Sequence, residues 1–178
     1  ISIIYKMPGL KIFSPMTSKE YITTYKKFLK SKDVFYISEH RYSYSNTSEF
    51  KNDIIGKKDI ILMPISVTRF EAEKAKIELE QRGYKVGIIH LVNLKPFEIK
   101  KPWIKAIKKS RFGVLMTDND YKDGILRILA HKVNEQTNKS VSVLGLKDKS
   151  AGHHLKVDNL PPNNKDIINA VKSIIKKK

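Results

Sequence analysis

The sequence predicts an α/β protein built on a mainly parallel sheet, and three observations carry that prediction. Short β-branched runs alternate with longer amphipathic stretches along the whole chain. The apolar runs are nearly continuous instead of alternating, as strands covered by helices on both faces require. The chain has 178 residues, 40% of them hydrophobic and 30% charged, so it can bury a core and is not a disordered polymer. That length holds one generous domain, or one domain and part of another.

Six strands are expected, at 10–14, 34–39, 60–65, 86–91, 112–117 and 140–144. Helices are expected between them. Thr17-Ser18-Lys19-Glu20 has the spacing of a capping box, with Met16 and Tyr21 placed to staple it, and Ile22, Tyr25 and Leu29 then share one face. Thr68-Arg69-Phe70-Glu71 repeats the capping pattern before a helix that stops at Gly83. Further helices are predicted over 98–110, 123–135 and 165–177; the last follows Pro161-Pro162 and sets Ile167, Ile168, Val171, Ile174 and Ile175 on one face.

One interval breaks this rhythm. Residues 41–58 are polar, lack a helical period and exceed an ordinary strand-to-helix connection, which marks a linker between units. What precedes it, about 40 residues of strand, helix and strand, is too little to enclose its own core. The expected division is therefore 1–44 as the end of one domain, 45–58 as linker and 59–178 as a complete second domain. Ile1 to Lys6 show no starting Met, basic leader or cleavage site, so the chain reads as the later part of a longer protein.

The formal net charge is +17, from 35 Lys and Arg against 18 Asp and Glu. Only five of the cations are Arg, and the lysines are spread over the whole length, accompanied by 23 Ile. A nucleic-acid reader leans on Arg and concentrates its charge, so nucleic acid is an unfavoured partner, although a basic module for nucleic acid or another polyanion is the alternative reading. Cysteine is absent, which excludes disulfides, thiolate metal sites and cysteine nucleophiles and fits a reducing compartment such as the cytoplasm. The longest apolar runs fall far short of the roughly 20 residues that span a bilayer, so no membrane role is expected.

Pro8-Gly9-Leu10-Lys11-Ile12-Phe13-Ser14-Pro15 followed by Met16-Thr17-Ser18-Lys19-Glu20 resembles the β subunit of thiamine-diphosphate-dependent 2-oxo-acid dehydrogenases. Phe35-Tyr36-Ile37-Ser38-Glu39-His40-Arg41 is similar to the strand that closes that family's pyrimidine-binding domain. Gly83-Tyr84-Lys85-Val86 leading into Leu91-Val92-Asn93-Leu94-Lys95-Pro96-Phe97 is similar to its turn, strand and Leu-Lys-Pro segment. The resemblance covers almost the whole chain. It implies the end of a pyrimidine-binding domain joined to a transketolase C-terminal-type domain, a three-layer α/β/α sandwich whose sheet in the family has five strands, one antiparallel. Only Ile54 to Lys58 is available for the hairpin that carries that antiparallel strand, so it is expected short or absent.

The resemblance also implies a thiamine-diphosphate and Mg²⁺ enzyme of the 2-oxo-acid dehydrogenase or transketolase type, in which this chain pairs subunits and closes the active-site cleft without being catalytic itself. The family's Gly-Asp-Gly metal–diphosphate motif belongs to a partner domain, and Lys122-Asp123-Gly124 is not that motif; its activating Glu and active-site His lie upstream of the matched segment. No catalytic, cofactor or metal residue is therefore expected here. The substrate-channel candidates are Glu39, His40 and Arg41, at the end of the matched strand, with Arg41 able to meet a substrate phosphate; the plainer alternative is that the three pair at an interdomain surface. The turn Lys30-Ser31-Lys32-Asp33 stands where the family holds potassium, and its two lysines disfavour a cation. A homodimer or αβ heterotetramer through the C-terminal domain is implied, while Lys176-Lys177-Lys178 would repel the basic docking domain of an acyltransferase. His153-His154 near Asp158 suits a tetrahedral site poorly and reads as a surface loop, and His90 reads as a satisfied strand histidine.

Overall fold

A computed structural model describes residues 1–150 and 158–176. Two sheets organise the chain. The first has the order β2-β1-β5 and the second β4-β3-β6-β7.

In the first sheet, β1 (Leu10–Phe13) pairs parallel with β2 (Val34–Ile37), and α2 (Ser18–Leu29) connects them. The capping box forms at the start of α2: Thr17 accepts from Glu20 N, and the Glu20 carboxylate takes Met16 N at 2.9 Å. The third strand, β5 (Asn93–Lys95), pairs antiparallel with β1 and comes from beyond residues 41–58. The sequence reading missed it as a strand, because a three-residue run around the Leu-Lys-Pro segment carries no period of its own. The short helix α1 (Ser2–Tyr5) was also missed; its start is held from outside, by Asp120, which accepts Ser2 N and Ser2 Oγ, each at 2.8 Å.

The second sheet is wholly parallel. β3 (Ile60–Pro64) lies between β4 (Val86–Ile88) and β6 (Val114–Tyr121), and β7 (Val141–Leu146) follows β6. The residues of β3 are buried throughout, as its unbroken apolar run requires. On one face, α3 (Thr68–Gln81) and α6 (Asn164–Lys176) pack through Ala72, Ala75, Leu79, Ile167, Ile168 and Val171. On the other, α4 (Lys101–Lys109) and α5 (Ile125–Thr137) supply Ala106, Ile107, Leu126, Leu129 and Val133, together with Tyr5 from α1 and Ile12 from β1. The result is the expected α/β/α sandwich. The antiparallel edge is reduced to one bridge, in which Asp53 and Ile88 exchange both backbone hydrogen bonds at 2.9 Å.

Two local details differ from expectation or explain it. Thr68 does not cap α3; Val67 holds the cap position, and the Thr68 hydroxyl instead donates to the Ile65 carbonyl at 2.7 Å inside the protein. Gly113 has φ +87°, and a Cβ there would come within 2.1 Å of the Ser140 carbonyl oxygen, so only glycine lets β6 start beside β7.

Candidate functional site

The three residues singled out at the end of β2 diverge. The Glu39 carboxylate accepts Tyr25 Oη at 2.7 Å and Tyr44 Oη at 2.9 Å. These bonds to a carboxylate hold both phenols above their usual range. His40 turns its Nδ1 onto Tyr42 N at 3.2 Å and so starts a 3₁₀ helix, Arg41–Ser45. Arg41 is exposed. The three share a neighbourhood but do not converge on one point.

Convergence occurs a short distance away, around Arg69. This arginine stands in the first turn of α3 and is fully buried. Its Nη1 and Nη2 donate to the two carboxylate oxygens of Glu20 at 2.8 and 2.5 Å, the two-pronged geometry that a guanidinium makes and an ammonium cannot. Its Nε donates to His90 Nδ1 at 3.3 Å, and its guanidinium carbon lies 4.6 Å from the centre of the Phe50 ring. Phe50 also stacks on the His90 ring at 4.6 Å, and His90 Nε2 meets Glu73 at 2.8 Å. The His90 amide donates to Asn52 Oδ1 at 2.8 Å. One guanidinium thereby joins α2, the 41–58 segment, α3 and the chain leaving β4.

The electrostatics follow from these partners. Because Nδ1 accepts from Arg69, the neutral imidazole carries its proton on Nε2, towards Glu73. Burial lowers the His90 pKa and the Arg69 charge adds to this, against the opposing pull of Glu73. The ring is neutral at pH 7, with both nitrogens engaged, and serves as a structural bridge. A cleft of about 440 Å³ opens over the junction, with Glu20, Phe50 and His90 in its wall and Lys19, Lys27, Lys100 and Trp103 around it.

A second unusual group, Asp118, lies within β6, one residue past the stretch that pairs with β3. It is fully buried; Oδ1 accepts Asn119 N at 2.8 Å, whereas Oδ2 has no hydrogen-bond partner. Burial is the main force that pushes its pKa up to about 7, with the neighbouring Asp120 adding to it. A buried carboxyl inside this strand had no sequence signal, because the expected strand stops at 117 and Asp118-Asn119-Asp120 is polar. Arg69 was likewise visible only as the second residue of a supposed cap, and Glu20 only as a capping residue.

The remaining expectations can be placed. Asp123 Oδ1 pairs with Arg127 Nε at 2.8 Å in the entry to α5. Asp33 accepts Ser31 Oγ at 2.6 Å and pairs with Lys11. His153 and His154 lie outside the described residues, and Asp158 pairs with Lys149 at 2.5 Å. Among the described residues, no group of three or more His, Asp or Glu could hold a metal, and no helix is long and apolar enough to cross a membrane.

These two sheets, joined at a buried arginine, have a close counterpart among solved structures: a chain described as split gene transketolase, inactive beta4 tetramer, superimposes with a TM-score of 0.76 over 98% of this chain and 60% of its own, at 18% identity. The fold is transketolase-type. A 2-oxoglutarate:ferredoxin oxidoreductase from Magnetococcus marinus shares it more distantly, with a TM-score of 0.53 and 16% identity over 89% of this chain and 23% of that one. Among curated proteins, the pyruvate dehydrogenase E1 component subunit beta of Mesostigma viride is 26% identical over 140 residues, covering 72% of this chain. The match spans 42% of that relative. No protein-family model matches. In this transketolase-type fold the Arg69 junction sits where the two sheets meet, and the 60–65 strand and Leu-Lys-Pro segment fall on β3 and β5.

Proposed function

We propose that the chain is the C-terminal portion of a thiamine-diphosphate-dependent enzyme, a 2-oxo-acid dehydrogenase β subunit or a transketolase-like protein, in which it pairs subunits and closes the active-site cleft without supplying a catalytic group. The observation that carries this reading is the unequal build of the two sheets. The four-stranded sheet is covered on both faces, whereas β2 pairs only with β1 among the described residues and leaves Val34, Leu29 and Ile22 exposed beside it. That is an edge prepared to continue into further structure. On this reading residues 1–44 are the end of a pyrimidine-binding domain, 45–58 the linker and 59–178 the transketolase C-terminal-type domain.

The residues present do not fit a metal–diphosphate anchor. The Asp-Gly pair at 123–124 has its carboxylate on Arg127, and a Cβ at Gly124 would lie 2.1 Å from Ser2 Oγ, so that loop is filled by α1. No chemical step is assigned to the cofactor through this chain. Its own contribution is positional: the Arg69 junction fixes the N-terminus of α2, and with it the end of β1, against the second sheet. On this reading Glu39, His40 and Arg41 line a substrate channel formed with a partner.

Calorimetry with thiamine diphosphate and Mg²⁺ tests the assignment. The chain alone is expected to show no Mg²⁺-dependent micromolar binding of thiamine diphosphate that survives Lys26→Gln with Lys30→Gln, and such binding would place a complete cofactor site within it and overturn the proposal. Sedimentation at tens of micromolar tests pairing, with a monomer at all concentrations as the adverse result.

A further inference from the structure

A second concavity differs from the junction in having cations without partners. Between the last turn of α2 and the strands β1 and β2 lies a groove of about 560 Å³, lined by Lys11, Lys26, Lys27, Lys30, Phe13 and Phe35. No Asp or Glu lines it. Lys11 pairs with Asp33, while Lys26, Lys27 and Lys30 make no ion pair among the described residues.

The lysines are held in part by the groove's own floor. Phe13 and Phe35 stack at 5.1 Å with an interplanar angle of 10°, and Phe28 closes edge-on against Phe35. Lys27 Nζ stands 5.6 Å from the centre of the Phe13 ring, and Lys11 Nζ stands 5.7 Å from that of Phe35. A lysine seated over a ring has given up part of its rotamer freedom before any ligand arrives, which lowers the ordering penalty of binding. The hydroxyl-bearing residues Thr23 and Ser31 also line the groove. Lys26 and Lys27 offset the negative end of the α2 dipole as well, but that does not account for Lys11, which comes from β1 and faces the same space.

We infer that this groove binds a compact, multiply charged phosphate ligand. Four ammonium groups around one small concavity suit several phosphate oxygens gathered in one place; a nucleic acid or an acidic peptide asks for an extended track. This inference stands independently of the enzyme assignment.

The test is calorimetric titration of the full chain with inorganic tripolyphosphate at low and physiological salt. Saturable binding at one site is expected. Substituting the exposed rim lysines together, Lys26→Gln with Lys30→Gln, should weaken it at least about tenfold. The control pair Lys105→Gln with Lys109→Gln, from a separate cleft that also holds Lys57, should leave it within about twofold. Unchanged near-ultraviolet circular dichroism verifies folding of both variants. Absence of saturable binding, or equal weakening by both pairs, overturns the inference. So does a single-stranded oligonucleotide that binds more tightly than tripolyphosphate and is weakened equally by both pairs, since the charge would then act as a dispersed polyanion surface.

Discussion

The Arg69 junction and the lysine groove lie towards opposite ends of α2, share Lys27 at their margins, and treat charge in opposite ways. At the junction Nε, Nη1 and Nη2 of one buried guanidinium each have an acceptor and its plane meets a ring, and the partners come from three segments. In the groove, three of four ammonium groups lack an acid. The difference teaches what each region is for. A buried charge is tolerable only when partnered, so the junction builds the fold. An exposed charge can remain unpartnered at little cost, so it stays available to a ligand.

The sharpest way to break this comparison is Arg69→Met. It strands the Glu20 carboxylate and should lower stability by about 3–5 kcal/mol in urea denaturation. Arg69→Met combined with Glu20→Leu should recover part of that loss, because no carboxylate then remains unpaired. Equal loss in the single and double variants would remove the ion pair as the explanation.

Asp118 extends the comparison to a buried group with an unpartnered oxygen. Its folded pKa of about 7 lies above the unfolded value near 3.9. The folded state therefore binds more protons between those values, and stability falls as pH rises through that window. Asp118→Asn should abolish this slope and make the protein more stable than wild type at pH 8, by up to about 4 kcal/mol. Matching urea curves at pH 5 and 8 for the two proteins would refute the assignment.

His90 should show a smaller effect of the opposite sign. Its folded pKa is lowered, so the unfolded state binds the extra proton, and the full contribution is present above about pH 6.5 and fades as pH falls below it. An imidazole titration followed by NMR should have its midpoint below 6.5; a midpoint above that would mean that Glu73 outweighs burial and Arg69. The smallest expected effect is on the groove. Lys26→Gln with Lys30→Gln should change stability by no more than about 0.5 kcal/mol while weakening anion binding at least about tenfold, the reverse of what Arg69→Met does.

Much of the architecture was legible because it rests on local signals. The apolar runs of β3 and β6, the capping box at Thr17 and Glu20, and the face of α6 each repeat at a period the backbone imposes. Elements held from a distance were not legible: α1 is anchored by Asp120, and β5 exists because β1 is there to pair with it. The three residues chosen at the β2 end came from a family resemblance, and the structure gives Glu39 and His40 separate local partners and leaves Arg41 exposed. Lys26, Lys27 and Lys30 are already neighbours at the end of α2, but Lys11 joins them in the groove only because α2 folds back across β1.

The sequence by itself determined the alternation of strand and helix, the parallel character of the main sheet and the family likeness, because periodicity and turn chemistry act between near neighbours. Tertiary structure alone decided that Glu20, Phe50, Arg69 and His90 meet, that Asp118 is buried with one oxygen unpartnered, and that Lys11 faces the lysines of α2. Those outcomes depend on which distant segments exclude water together, and burial turns an ordinary charged side chain into either a fold-defining bond or a titrating group.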